Sequence, residues 1–450
     1  VALARDAVVV GLARSGVAAA EFLARRGAPV VATDRRAAGE LEAEAMRLEA
    51  LGVRLELGGH RRDTFVSAAS IVVSPGVPWD LPELEAARGA GVPVLAEIEL
   101  AFRNLKGRVA AVTGTKGKST TTAALGAMLR ERGGDVRVGG NIGEALVSLV
   151  EGSTDATDFV VEVSSFQLEG IDTFRPHVAV FLNLSPDHLD RHPSFDAYAR
   201  AKARIFENQT ATDWAVMHSL VKAHGVRSRI VRFHEGEEPQ TADAAFFRAG
   251  QAVLRLAGRE EVLFPLFSLR LPGSHLAADV LAAAAAARLL GAEPAQIARA
   301  VEQFRGLPHV LEHVATSHDV HYYNDSKATN VDAALKSLES FAGPLIVIMG
   351  GRYKGGNFRD LRPALMQRGK RVLAIGEARA QIWKALADTL PVDECPTLRA
   401  AVERAAELAV RGDTVLLAPA CSSFDMFRDY AERGQAFKDE VRRLLETGRG

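Results

Sequence analysis

The feature that most constrains this chain is a glycine-rich turn set between a strand-like and a helix-like segment. Arg108–Thr113 is apolar, Gly114-Thr115-Lys116-Gly117-Lys118-Ser119-Thr120 follows it, and a helical stretch runs from about Ser119 to Arg132. A strand that enters a helix through glycines points backbone N–H groups and the helix dipole at one spot, where an anion binds. In such a loop Lys118 sets its charge against the β and γ phosphates, and the Ser119 hydroxyl ligates Mg²⁺. ATP or GTP is the natural guest, gripped by Gly114, Thr115, Gly117, Lys118, Ser119 and Thr120. The strict G-x-x-x-x-G-K-[ST] spacing is not met, because Val112 stands five residues before Gly117. A purely structural glycine turn therefore stays open at this point.

A phosphate loop needs a parallel sheet to carry it, and the pattern supplies more than one. Ala7–Val10, a glycine turn, an Ala-rich helical stretch and the apolar Pro29–Asp34 make a βαβ beginning. Phe159–Val163 and Val178–Leu182 are further strands, and beyond Gly306 the runs Leu345–Met349, Val372–Ile375 and Val415–Ala418 alternate with helical stretches. Such alternation implies mostly parallel sheets. A length of 450 residues exceeds one ordinary core. The expected class is α/β in three domains: Rossmann-like at 1–93, a central P-loop ATPase-type parallel sheet at 94–304, and Rossmann-like at 305–450. Leu281–Leu290, almost pure Ala and Leu, reads as a buried helix too short to cross a bilayer.

Fifty-five Lys and Arg against 56 Asp and Glu leave a formal charge of -1. That balance argues against a general binder of nucleic acid or anionic membranes, and leaves room for a local basic cleft. Cys395 and Cys421 are too few for a disulfide framework or a cysteine metal cage. The stretch from Asp6 to Gly11 lacks a signal-peptide layout and no run of 18 apolar residues occurs, so the chain reads as a cytoplasmic protein without membrane insertion. A monomer is the expected state, though the sequence itself does not fix oligomerisation.

Several residues carry chemistry in this frame. Glu162, near the end of a strand, suits a hard cation beside the phosphates; a buried structural pairing is the alternative. Asp187, His188, Asp190 and His192 form a titratable loop, or a solvated turn. If Asp196–Phe206 is helical, Tyr198, Lys202 and Ile205 share one face and Arg200 and Arg204 the other. Lys202 then points with apolar residues, where burial favours the neutral amine that reacts with CO₂. Snorkelling of its head group to water is the competing reading. Gly11-Leu12-Ala13-Arg14-Ser15-Gly16, with Asp34 eighteen residues further on, is a damaged dinucleotide fingerprint. The Cβ of Ala13 obstructs the approach of a dinucleotide pyrophosphate, which disfavours NAD.

The string G-T-x-G-K-S-T is followed by Gly139–Gly143, then Glu162–Leu168, then Asn183-Leu184-Ser185-Pro186-Asp187-His188-Leu189-Asp190-Arg191-His192. In order and spacing these resemble the Mur ligase family, and later segments extend the match over all three domains. The resemblance implies Mg²⁺ held by Ser119 and Glu162, a second Mg²⁺ touched by His188, and a carbamylated Lys202 as a further metal ligand. It assigns a UDP-substrate to Gly11, Ala13, Arg14, Ser15, Asp34, Arg35, Ser74, Pro75, Gly76 and Asn141, and ATP to Asp325 besides the phosphate loop. Lys118, His188, Lys202 and Lys327 are the implied catalytic residues, with Lys327 directed at the reacting phosphate. Residues matching Thr329, Lys354 and Ser423 hold the amino acid in the D-glutamate-adding branch, which the pattern Asp425-x-Phe427-x-x-Tyr430-x-x-Arg433-Gly434-x-x-Phe437 also favours. The implied reaction joins D-glutamate to UDP-N-acetylmuramoyl-L-alanine at the expense of ATP, through an acyl phosphate, in peptidoglycan precursor synthesis.

Two departures stand out. The family's His-Asn-x-x-Asn reads His275-Leu276-Ala277-Ala278-Asp279 here, and its Leu-Pro-His-Arg reads Leu307-Pro308-His309-Val310. Loss of a transition-state cation costs about 10² to 10³ in rate by analogy with one preorganised donor; Arg305 or Arg352 is the candidate substitute. A sibling ligase with another acceptor, including a folate polyglutamylating one, and a degenerate UDP-sugar-binding homologue without activity are the alternatives.

Overall fold

The computed structural model describes residues 6–446. The chain divides into two compact units. The first reaches to Ser268 and takes in Ala278–Glu302; the second comprises Leu269–Ala277 and the chain from Gln303 on. Each expected α/β segment has its own sheet, and the first two sheets share the first unit.

The first sheet is five-stranded and parallel, in the order Arg54–Leu57, Val30–Asp34, Ala7–Val10, Ser70–Val73, Val94–Ala96. Ala7–Val10 is central and buried throughout, as a run of β-branched residues covered on both faces should be. A Cβ on Gly16 would overlap the Gly11 carbonyl, so this glycine lets the helix Arg14–Arg25 lie close on the strand.

The central sheet has nine strands. Val136–Gly140, Asp158–Glu162, Arg108–Thr113, Val178–Phe181, Trp214–His218, Arg229–His234 and Ala244–Arg248 lie parallel in that order. Gln251–Leu256 and Arg259–Pro265 then add an antiparallel meander that the alternation argument did not foresee. Its hairpins turn through Ala249-Gly250 and Ala257-Gly258, each residue at positive φ. This is the geometry of two-residue turns, but Ala-Gly lacks the Asn-Gly or Asp-Gly signature that would announce it. The Ala-rich stretch is a buried helix, Ser274–Leu289.

The sheet of the second unit runs Glu312–Ser317, Val320–Asn324, Thr414–Leu417, Leu345–Gly350, Gly369–Ile375, Val392–Glu394. Only the Glu312–Ser317 edge is antiparallel. No helix among the described residues is long and apolar enough to cross a membrane.

Candidate active site

Arg108–Thr113 ends in the phosphate loop, and its sheet neighbours end in Glu162 on one side and Phe181 on the other. Three strand ends therefore meet at one place, where ligands bind in α/β sheets. Gly117, at φ 83, caps the helix Lys118–Arg132. Asn183, just past the neighbouring strand, braces the loop: its Oδ1 accepts from the Thr115 and Lys116 amides at 3.1 and 2.9 Å, and its Nδ2 donates to the Lys116 carbonyl at 3.1 Å. No motif assigns Asn183 this role, although it opens the loop that carries His188.

Lys118 Nζ donates to the Gly114 and Thr115 carbonyls at 3.0 Å. Lys202 Nζ reaches the same Gly114 carbonyl at 2.8 Å from the helix Phe195–Ala203. The expected face is the buried one: Tyr198, Lys202 and Ile205 are 1%, 2% and 0% exposed. Burial first, and Lys118 second, push the Lys202 ammonium down to about 7, against the pull of Asp187 and Glu162. A large share of the amine is therefore neutral near pH 7.

Ser119 Oγ donates to Glu162 Oε2 at 2.7 Å, and Asn141 Nδ2 donates to Oε1 at 2.8 Å. Two oxygen donors thus converge beside the loop, a set that suits a hard divalent cation. His188 lies on an exposed turn at φ 54, edge-on to Phe166 at 5.0 Å and 6.2 Å from the Tyr198 ring. Arg191 links that turn to the first sheet by donating to the Gly76 carbonyl at 3.2 Å.

Ala13, Arg14, Ser15, Ser74, Pro75, Gly76 and Asn141 line one pocket, whose lining does not include Gly11, Asp34 or Arg35. Ser74 Oγ holds the Gly11 carbonyl at 2.7 Å, and Arg14 Nη2 donates to the Asn141 carbonyl at 3.0 Å. Asp34 accepts from the Leu12 amide at 2.6 Å and pairs with Arg36 at 2.9 Å. Burial alone would raise this carboxyl; the Arg36 and Leu12 hydrogen bonds outweigh it and hold it at about 2. Arg36 is the partner of Asp34, whereas Arg35 is exposed.

In the second unit, the loops after Asn324, Gly350 and Leu417 emerge from the same end of three adjacent parallel strands. They carry Asp325, Lys327 and Thr329, then Lys354, then Ser423. Lys327 is exposed, and Lys354 Nζ sits 5.2 Å from the Phe424 ring. Asp325 spends its oxygens inside the unit, on the Leu311 amide at 3.3 Å and the Ser337 hydroxyl; burial raises its carboxyl to about 6. Cys421 is fully buried and its thiol is pushed up to about 12 by burial, which suits a packing residue and not a nucleophile.

The departures from the family pattern have structural consequences. Leu276 is 3% exposed in the apolar core of the second unit. Arg352, a candidate substitute cation, pairs with Glu377 at 3.0 Å. Asp279 is buried, and a Cβ on Gly117 would overlap its carboxylate, so an acid lies directly against the cap of the phosphate-loop helix. Burial and Glu235 raise this carboxyl to about 8, against the pull of Lys118. Among the described residues His218, His234 and Glu235 have metal-ligand spacing. Both imidazole Nδ1 atoms accept backbone N–H groups, so Nε2 carries the proton in each ring; His218 donates it to Glu235 at 3.1 Å. Neither Nε2 is then a bare metal ligand.

Fold and site together define a three-sheet α/β protein built around a phosphate loop. The description "Mur ligase MurD-like, N-terminal domain" matches residues 5–96, "Mur ligase middle domain" 112–287, and "Mur ligase, glutamate ligase domain" 311–421. The chain belongs to the Mur ligase family. It is 46% identical to a UDP-N-acetylmuramoylalanine--D-glutamate ligase of Geotalea daltonii over 97% of each chain. It is 44% identical to the enzyme so named from Desulfosudis oleivorans, over 98% of this chain and 97% of that one. Among solved structures, the MurF ligase from Thermotoga maritima in complex with ADP shares the fold with a TM-score of 0.61 at 15% identity, over 93% of this chain and 95% of that one. The UDP-N-acetylmuramate-alanine ligase of the same organism does so with a TM-score of 0.59 at 20% identity, over 98% and 100%.

Proposed function

We propose that this chain is an ATP-dependent ligase that joins D-glutamate to the alanyl carboxylate of UDP-N-acetylmuramoyl-L-alanine, releasing ADP and phosphate. The observation that carries the reading is a continuous hydrogen-bonded path. Ser119 of the phosphate loop binds Glu162, Glu162 binds the Asn141 side chain, and the Asn141 carbonyl binds Arg14 in the substrate pocket. The nucleotide loop and the pocket for a second substrate are thereby held in one frame. The relatives at 44% and 46% identity supply the acceptor.

A carboxylate is a poor acyl donor, because its leaving group would be oxide. Attack of the alanyl carboxylate on the γ-phosphorus expels ADP and leaves an acyl phosphate. The amine of D-glutamate then adds to the acyl carbon, phosphate leaves, and the amine loses its proton as the amide forms. Lys118 steadies the γ-phosphate, and Arg14 with Ser74 and Ser15 orients the UDP-substrate. Thr329, Lys354 and Ser423 of the second unit hold the amino acid, a dicarboxylate that needs a cation and hydroxyls. Mg²⁺ fits the Ser119 and Glu162 oxygens and, when bound, neutralises phosphate charge. Lys202 is a candidate carbamate, since about half of its buried amine is neutral near pH 7.

The test is phosphate release by the purified chain. It should require ATP, UDP-N-acetylmuramoyl-L-alanine and D-glutamate together. Release that proceeds equally with another amino acid, or no release with all three present, would refute the proposal.

A further inference from the structure

We propose that Arg433 is a positioning residue for the amino-acid site, its guanidinium anchoring together the three strand-end loops that carry Thr329, Lys354 and Ser423. Arg433 lies in the helix Tyr430–Glu446 and is fully buried. Its Nε donates to Ser326 Oγ at 2.9 Å and its Nη2 to the Ser326 carbonyl at 2.8 Å. Its Nη1 donates to the Cys421 carbonyl at 3.1 Å and the Gly350 carbonyl at 3.5 Å. Ser326 and Cys421 lie on their loops and Gly350 closes the strand that leads into the third, and each stands two to four residues upstream of the residue assigned to the amino acid.

A core filler would not need this chemistry. All of these bonds go to uncharged oxygens, and desolvation holds the guanidinium down to about 10, with Asp425 and Cys421 pulling the other way. Burying a cation without a direct counter-ion is costly, so its retention points to what the planar fork does. The loops already touch in pairs: Arg352 and Ser422 exchange backbone bonds at 2.9 and 3.0 Å, and the Ala420 amide donates to the Ala328 carbonyl at 3.0 Å. Among the described residues, the Arg433 guanidinium bonds to the backbone at all three strand ends. Ser326 extends the tie by donating to the Tyr430 carbonyl at 2.7 Å. Lysine, a point charge without the fork, cannot reproduce four bonds in one plane.

The inference rests on reading these loops as the amino-acid site, and the experiment separates the two. Phosphate release by the full chain is measured while D-glutamate, ATP and UDP-N-acetylmuramoyl-L-alanine are varied in turn. In the unaltered chain, absence of D-glutamate-dependent release defeats the site reading itself. Given that release, Arg433→Lys should raise the D-glutamate KM about 10- to 100-fold, the scale of a misplaced reactant, with the KM for UDP-N-acetylmuramoyl-L-alanine at its starting level. Ser326→Ala, which removes one anchor, should raise the same KM about 3- to 10-fold. It decides the matter where Arg433→Lys does not fold. An unchanged D-glutamate KM, a rise in all three KM values together, or loss of folding in both variants would overturn the proposal in favour of a purely structural role.

Discussion

Replacing Asp279 by asparagine should stabilise the first unit, and by an amount that depends on pH. The carboxyl titrates at its ordinary 3.8 in the unfolded chain and at about 8 in the folded one, because burial and Glu235 disfavour its ionised form. Between those values folding takes up a proton. Below pH 4 both states are protonated and the residue costs nothing; as pH rises towards 8 stability falls by about 1.4 kcal/mol per pH unit, then levels off. At pH 7 the penalty is therefore about 4 kcal/mol. Asparagine keeps the shape and does not ionise. At roughly 2 °C per kcal/mol for a unit of this size, the melting temperature of Asp279→Asn should exceed that of the unaltered chain by an amount that grows about 5 °C between pH 5 and pH 7. Scanning calorimetry of both proteins from pH 5 to pH 9 reads this directly. A difference that does not vary with pH, or a variant less stable throughout, would show that the carboxyl is not a buried acid. Because an ionised carboxylate at this helix N-terminus competes with a triphosphate, the variant should also keep its ATP KM from pH 7 to pH 9 while that of the unaltered chain climbs.

Glu162→Gln should lower the rate of phosphate release at least about 10²-fold with its thermal unfolding little altered, since the amide still bonds Ser119; unchanged release would remove Glu162 from the site. Arg14→Ala should raise the KM for UDP-N-acetylmuramoyl-L-alanine about 10- to 100-fold, the worth of one charged hydrogen bond, and leave that for ATP alone, which initial-rate kinetics would separate. Glu99 is fully buried and accepts from the Asp172, Thr173 and Phe174 amides, the Thr173 hydroxyl and Arg103. Glu99→Ala should cost about 3–5 kcal/mol. Burial would raise this carboxyl, but those bonds outweigh it and hold it below its ordinary range, so its contribution is present at neutral pH and fades as pH falls through the lowered value. Leu276→Asn, which restores the family letter, should destabilise the second unit by about 2–4 kcal/mol without improving the ATP KM, because the amide would enter an apolar core.

The elements were legible wherever one residue's own pattern decided its place. Apolar runs announced strands in all three sheets, and the spacing of Tyr198, Lys202 and Ile205 placed a lysine on a buried face. The Ala-Gly hairpins of the central sheet were not legible, because their positive-φ turns use no residue that demands one. The candidate site divides in the same way. Lys118 and Glu162 could be named from motif chemistry and Arg14 from the family resemblance; adjacent strand ends set the phosphate loop beside Glu162, and Arg14 bonds the Asn141 carbonyl.

The residues that went unassigned act on the backbone of some other loop. Asn183 holds two amides of the phosphate loop, Arg433 holds the carbonyls of three strand-end loops, and Arg191 holds the Gly76 carbonyl. Backbone groups are the same at every position, so a bond to one leaves no trace in the partner's identity, and periodicity cannot report it. It follows that a site residue cannot be restored by letter alone. Leu276 and Asp279 stand three positions apart at the start of one helix, where the family has two asparagines, yet one now completes an apolar core and the other presses on Gly117. Leu276 and Asp279 are therefore separate physical events, and of the two only Asp279 touches the phosphate loop.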